Sequence, residues 1–366
     1  MNKLQELAKR KQAIWLDTIS RSMVRDGGLQ KRIADGVRGV TSNPSIFKKA
    51  IADSHDYDDD IVRLSAMGKT LNGIYEALVL EDICQAADLL HPLYEQTNAL
   101  DGYVSLEVSP KLANDTEGTI VEARRLFSAL GRPNIMIKIP ATCAGIPAIE
   151  EVSASGISVN VTLIFSLAQY EDAADAYMAG LEKMVGVGGE ISRIASVASF
   201  FVSRVDTAMD AVLEKTGNTE FLGRIAVDNA RLAYAHFQEN SRSDRWAKLA
   251  RAGAQPQRPL WASTGTKNPI YSDTRYVDNL IGSETVNTVP PATLDAFMDH
   301  GQTDRSIEED VGGAQDRIDS LGAEGVDFDE ITDALLNEGV DAFAQAFDDL
   351  MHSIEEKRNR VLEGAA

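Results

Sequence analysis

The sequence is short of cysteine, of basic residues and of long apolar runs, and each shortage narrows what it can be. Cys84 and Cys143 are the only cysteines among 366 residues. Two are too few for a disulfide framework and fit a reducing compartment. Lys and Arg total 36 against 56 Asp and Glu, a net charge of −20. So acidic a surface repels nucleic acid and anionic membrane and argues against both as partners. A phosphorylated small molecule is also repelled at long range, so it would need cations held locally in its pocket. No apolar run is long enough to span a bilayer. The start, Met1 to Gln12, is polar and lacks the apolar core of a signal peptide, so a cytosolic protein is expected. His55, His91, His236, His300 and His352 show no metal-ligand spacing, and no metal is expected. No glycine-rich phosphate fingerprint follows the first apolar run, which disfavours a doubly wound nucleotide-binding sheet.

What is present is a series of short apolar runs of β character. They are Ala13–Ile19, Val37–Thr41, Gly102–Val108, Ile135–Pro140, Ser158–Phe165, Ile194–Val202, Pro259–Thr264 and Glu284–Val289. Near-continuous apolarity is the mark of parallel strands covered on both faces. Helical patterns separate them. In Asn114–Leu130, Ile120, Ala123, Phe127 and Leu130 recur at helical spacing, and Gly131 with Pro133 ends the segment. Ser166 and Gln169 form a capping box before a stripe of Tyr170, Ala174, Tyr177, Leu181 and Met184. Eight strands with helical crossovers predict an α/β protein, a (β/α)8 TIM barrel with additional N- and C-terminal helices. Residues 1–366 read as one barrel domain. Within it, residues 1–12 read as a leading helix and 301–366 as an acidic helical extension. That extension should pack on the barrel through Phe343, Phe347, Leu350 and Ile354.

Barrels of this kind do their chemistry at the C-terminal ends of the strands, so the polar residues there are the candidates. Lys138 stands in Ile135-Met136-Ile137-Lys138-Ile139-Pro140, where period-two alternation sets it on the face opposite the isoleucines. A charged lysine in a buried strand is costly. Desolvation and neighbouring cations can leave it as a neutral amine able to attack a carbonyl. The alternative is a structural ion pair with Glu107 or Asp17. Those two carboxylates could serve the proton transfers of imine chemistry or merely balance the lysine's charge. Asn43, Asn160, Thr162 and Ser199 suit a polyol, although each alone also suits a cap or turn. Arg204 and Lys267 follow late strands, where barrels often hold phosphate, and are the local cations that a phosphorylated ligand needs. Cys143, just past the fourth run, reads as a small core residue.

Read together, Leu16-Asp17, Thr41-Ser42-Asn43-Pro44-Ser45, Leu106-Glu107-Val108-Ser109, Ile137-Lys138-Ile139-Pro140-Ala141-Thr142, Asn160-Val161-Thr162-Leu163-Ile164-Phe165-Ser166 and Phe201-Val202-Ser203-Arg204 closely resemble the transaldolases. Singly these motifs are weak; in this order, from about residue 13 to 290, they are specific. Glu338-Gly339-Val340-Asp341 also resembles the family's last helix.

The resemblance implies an enzyme that transfers a dihydroxyacetone unit between sugar phosphates in the non-oxidative pentose phosphate pathway, without a cofactor. It implies Lys138 as the Schiff-base lysine and Asp17 as the acid/base at the C4 hydroxyl. Glu107 and Thr162 would hold the water of imine formation and hydrolysis. Asn43 and Asn160 would bind the dihydroxyacetone part, and Ser199 and Phe201 the sugar. Arg204 would bind phosphate. Lys267, in Ser263-Thr264-Gly265-Thr266-Lys267-Asn268-Pro269, stands where the best-known subgroup has an arginine. Ser203 and Phe200 replace the commoner glycine and proline, and the match is closer to a longer bacterial subgroup. A monomer or homodimer is expected. The rival readings are a fructose 6-phosphate aldolase-like enzyme, whose members are shorter and carry glutamine in place of Glu107, and a non-catalytic barrel that binds sugar phosphates.

Overall fold

Strands buried on both faces must find partners along both edges. In the computed structural model, described for residues 1–217, 219–323 and 325–364, all eight apolar runs do so. The strands are β1 (Gln12–Leu16), β2 (Gly39–Val40), β3 (Tyr103–Glu107), β4 (Ile135–Pro140), β5 (Val159–Ile164), β6 (Ser196–Phe201), β7 (Gln257–Ala262) and β8 (Thr285–Val289). They pair in parallel and in chain order, β8 closing on β1, to form the expected barrel. Helices follow each strand and cover the outside.

Local chemistry explains the element ends. Asp115 accepts from the Gly118 amide at 2.9 Å to start the helix Thr116–Leu130, and Gly131 ends it at φ +57°. The Ser166–Gln169 capping box forms as expected. In β2 a Cβ on Gly39 would lie 2.5 Å from the ring of the fully buried Trp15, so only glycine lets the two strands approach.

Several strands differ in extent from their apolar runs. β1 ends at Leu16, so Asp17 stands just beyond it. β7 begins two residues earlier than the run, because Arg258 is buried against Asp101 at 3.0 Å, and it ends where Ser263 takes φ +55°. The leading helix is limited to Lys3–Lys9.

The chain closes with a helix, Phe328–Gly364, 37 residues long. Phe343, Leu350 and Ile354 are buried, while Phe347 is half-buried against the Tyr75 ring at 5.4 Å. Lys48–Asp349 at 2.8 Å and Lys111–Asp348 at 2.6 Å tie this helix to segments that follow β2 and β3. It therefore crosses the C-terminal mouth of the barrel. Among the described residues no helix is long and apolar enough to cross a membrane.

Candidate active site

Strand register sets the floor of the site. Glu107 of β3 lies opposite Lys138 of β4, and Lys138 opposite Asn160 of β5. All three side chains thus reach one level of the barrel interior. Lys138 is 5% exposed, a burial that an ammonium tolerates only beside compensating groups. Its Nζ donates to the Ser42 carbonyl at 3.1 Å and lies 3.6 Å from Glu107 Oε2. The second contact is an ion pair longer than a hydrogen bond. Burial raises the Glu107 pKa, with Lys138 opposing. Among the described residues, Glu107 Oε2 and the hydroxyl of the fully buried Thr162 both lack a hydrogen-bond partner. Buried polar atoms left unsatisfied are costly, and they mark a place where a water or substrate group belongs.

Asn160 is held on both sides. Its Nδ2 donates to Ser105 Oγ at 3.0 Å, and Ser199 Oγ donates to its Oδ1 at 2.7 Å. Next to it β5 bulges between Val161 and Ile164, with Leu163 at φ +58°. Bulges of this kind re-aim side chains beside active sites. Gly339 of the C-terminal helix seats against this bulge, where a Cβ would meet Leu163 at 3.0 Å.

Asp17 stands apart from the Lys138–Glu107 pair, on the far side of β2. The Thr41 hydroxyl donates to its Oδ1 at 2.7 Å. Burial raises the Asp17 pKa, against lowering by Thr41, Lys138 and Lys267. Asn43 caps the helix Pro44–Ala52, its Oδ1 accepting from the Ile46 amide at 3.0 Å. That cap leaves its NH2 group to donate elsewhere. Asp17 and Asn43 line one cavity of about 540 Å³.

A buried amine beside a carboxyl of raised pKa, with Asp17 as a further carboxyl two strands away, can support imine chemistry on a carbonyl. The family model described as Transaldolase/Fructose-6-phosphate aldolase matches residues 14–354. The chain belongs to this family. A relative named Transaldolase from Saccharopolyspora erythraea is 48% identical over 361 residues, covering 98% of each chain. Another of that name from Thermobifida fusca is 48% identical, covering 97% of this chain and 98% of its own. A relative named Transaldolase 2 from Nostoc punctiforme is 47% identical, covering 97% of each.

In this member of the family the cations lie on the opposite side of the mouth. Arg204 sits in the first turn of the helix Ser203–Thr216, an end that favours anions. Its guanidinium lies 5.4 Å from the Phe201 ring and 5.9 Å from the Phe343 ring. No carboxylate among the described residues comes within 4.0 Å of it. Burial lowers its pKa, with Glu338 opposing. Lys267 is exposed on the loop after β7 and joins the group only through its charge on Asp17. Phe343 lies over Lys138 as well, 5.8 Å from Nζ. It was legible in the sequence only as one residue of an apolar stripe. Ser42, Ser105 and Thr41 hold Lys138, Asn160 and Asp17; the sequence shows them only as polar residues in or after the second and third strands, with no sign of these contacts. Cys143 is exposed, contrary to its reading as a core residue, because it lies in the turn that leads into the helix Gly145–Ala154.

Proposed function

We propose that the chain is a transaldolase that works through an imine on Lys138. Its donor would be sedoheptulose 7-phosphate or fructose 6-phosphate, and its acceptor glyceraldehyde 3-phosphate or erythrose 4-phosphate, in the non-oxidative pentose phosphate pathway. The observation that carries this reading is the Lys138 amine, 5% exposed and 3.6 Å from Glu107 Oε2, an oxygen without a hydrogen-bond partner among the described residues.

On this reading the amine adds to the ketose C2 carbonyl. Glu107 gives its proton to the departing hydroxyl, which leaves as water. The protonated imine then draws electrons from the C3–C4 bond as Asp17 takes the C4 hydroxyl proton. The aldose fragment departs, and the three-carbon enamine stays bound until an acceptor aldehyde arrives. Thr162 shares the water with Glu107. Asn160, held by Ser105 and Ser199, and the free NH2 of Asn43 grip the dihydroxyacetone hydroxyls. Phe201 shapes the sugar pocket, and Arg204 with Lys267 takes the phosphate. No cofactor enters these steps. The enzyme works in the cytoplasm as a monomer or homodimer, with residues 1–366 as one barrel domain, and has no nucleic-acid partner.

The test is product analysis with fructose 6-phosphate, with and without erythrose 4-phosphate. Catalytic glyceraldehyde 3-phosphate should form only with the acceptor, and borohydride should fix a three-carbon adduct on Lys138. Free dihydroxyacetone produced at a comparable rate without acceptor would instead indicate an aldolase, and no turnover a binding protein.

A further inference from the structure

The imine route needs a water to leave the site and later to return, while the barrel mouth holds the ketose. Phe343 narrows that mouth further, its ring standing over both Lys138 and Arg204. A second way to Glu107 runs through the side of the molecule. Outside β3, between the helices Leu71–Gln96 and Thr116–Leu130 and the C-terminal helix, lies a cavity of about 530 Å³. Its rim carries the exposed Asn72, Lys111 and Arg125, and its inner wall includes Glu107.

A second, smaller chamber of about 10 Å³ adjoins it, with Ser42, Asn43 and Glu107 in its wall beside Pro44, Phe47 and Val108. That is about the least space that holds one water. Its wall is mostly apolar, but Ser42, Asn43, Ser109 and Glu107 give a water polar partners there, and Ser42 and Glu107 are the two groups that the Lys138 amine touches. The chamber and the outer cavity share Tyr75, Leu106, Glu107, Ser109 and Phe347. Tyr75 and Phe347 meet edge to face, 5.4 Å between centroids at 86°, and form the partition. Burial and the Glu107 charge raise the Tyr75 pKa, so its phenol remains a donor.

We infer that the water exchanged at Lys138 enters and leaves through this side cavity, past the Tyr75–Phe347 pair and by way of the one-water chamber at Glu107. The inference rests on the reading of Lys138 as the imine former. In the forward step the C2–O bond of the carbinolamine breaks, and the hydroxyl takes the Glu107 proton and departs sideways as water. In hydrolysis a water from the chamber adds to C2 and returns its proton to Glu107. The partition then sets how often the bound enamine is lost to water rather than passed to an acceptor.

Two variants test this in opposite directions. Ser109→Leu fills the passage without touching the mouth. The rate at which borohydride traps the Lys138 adduct should fall about tenfold, with KM for fructose 6-phosphate within about twofold of the parent. Phe347→Ala opens the partition. Dihydroxyacetone released per transfer event should rise at least about threefold. Thermal unfolding checks that each variant folds. Trapping at the parent rate in Ser109→Leu, or an unchanged release ratio in Phe347→Ala, overturns the side route. Should the parent enzyme itself yield no adduct on Lys138, the proposed function fails first, and the side route with it.

Discussion

Replacing Arg204 by leucine should weaken catalysis without weakening the fold, and the reason lies in the arginine's surroundings. The guanidinium is half-buried over the rings of Phe201 and Phe343; no carboxylate among the described residues lies within 4.0 Å of it, and only the more distant charge of Glu338 acts on it. Such a charge is a liability until an anion arrives. Bound to phosphate, it would make two charge-assisted hydrogen bonds, each contributing ~1.5–3 kcal/mol. Taking the lower figure for both gives a loss of about 3 kcal/mol, or roughly two orders of magnitude in kcat/KM. Most of the loss should appear in KM for phosphorylated donors. Leucine keeps apolar contact with both rings and removes the unpaired charge, so Tm should stay level or rise. The assay is steady-state kinetics with fructose 6-phosphate and erythrose 4-phosphate, alongside thermal unfolding with and without inorganic phosphate. Phosphate should stabilise the parent and leave the variant unmoved. An unchanged KM would refute the phosphate role. A Tm lower by about 5 °C or more would refute the argument about the unpaired charge.

Other substitutions probe other parts of the site. Lys138→Arg should fold normally yet lose activity by about three orders of magnitude or more, because a guanidinium cannot form the imine; borohydride should then fix no adduct, and near-parental turnover would contradict the mechanism. Phe343→Ala should cost ~3–5 kcal/mol of stability in urea unfolding and raise KM. A cost under about 1 kcal/mol would mean that the helix does not bear on the mouth through this ring. Asp206, which accepts from Tyr276 and the Ala226 amide, has its pKa pushed up by burial to about 6. The folded protein therefore binds its proton more tightly than the unfolded chain, and the stability it contributes is lost as pH rises from about 3.8 to about 6. Relative to the parent, Asp206→Asn should gain Tm between pH 4 and pH 7, and a constant difference across that range would refute the shift.

The barrel could be read from the sequence because parallel strands advertise themselves by composition alone. The candidate site could be drawn up because such barrels place reactive groups at the strand ends. Lys138 is the clear case: a cation amid isoleucines has few purposes, and the register that sets it beside Glu107 follows from neighbouring strands. What escaped depends on contacts that no local pattern encodes. Phe343 lies some two hundred residues from Lys138 in the chain and meets it only after the last helix has crossed the mouth. The bulge at Leu163 lies against a tertiary partner, Gly339, where a Cβ would come within 3.0 Å of the Leu163 side chain. Ser105 and Ser42 look like ordinary strand and turn residues until the barrel closes and one holds Asn160 while the other receives Lys138. These omissions share a cause. Reactive residues are rare enough to stand out, whereas the groups that position them are common residues distinguished only by where the fold carries them. If the side passage at Ser109 and Phe347 controls water, it belongs to that second class, and variants of those two residues should alter the fate of the enamine while Lys138, Glu107 and Asp17 remain in place.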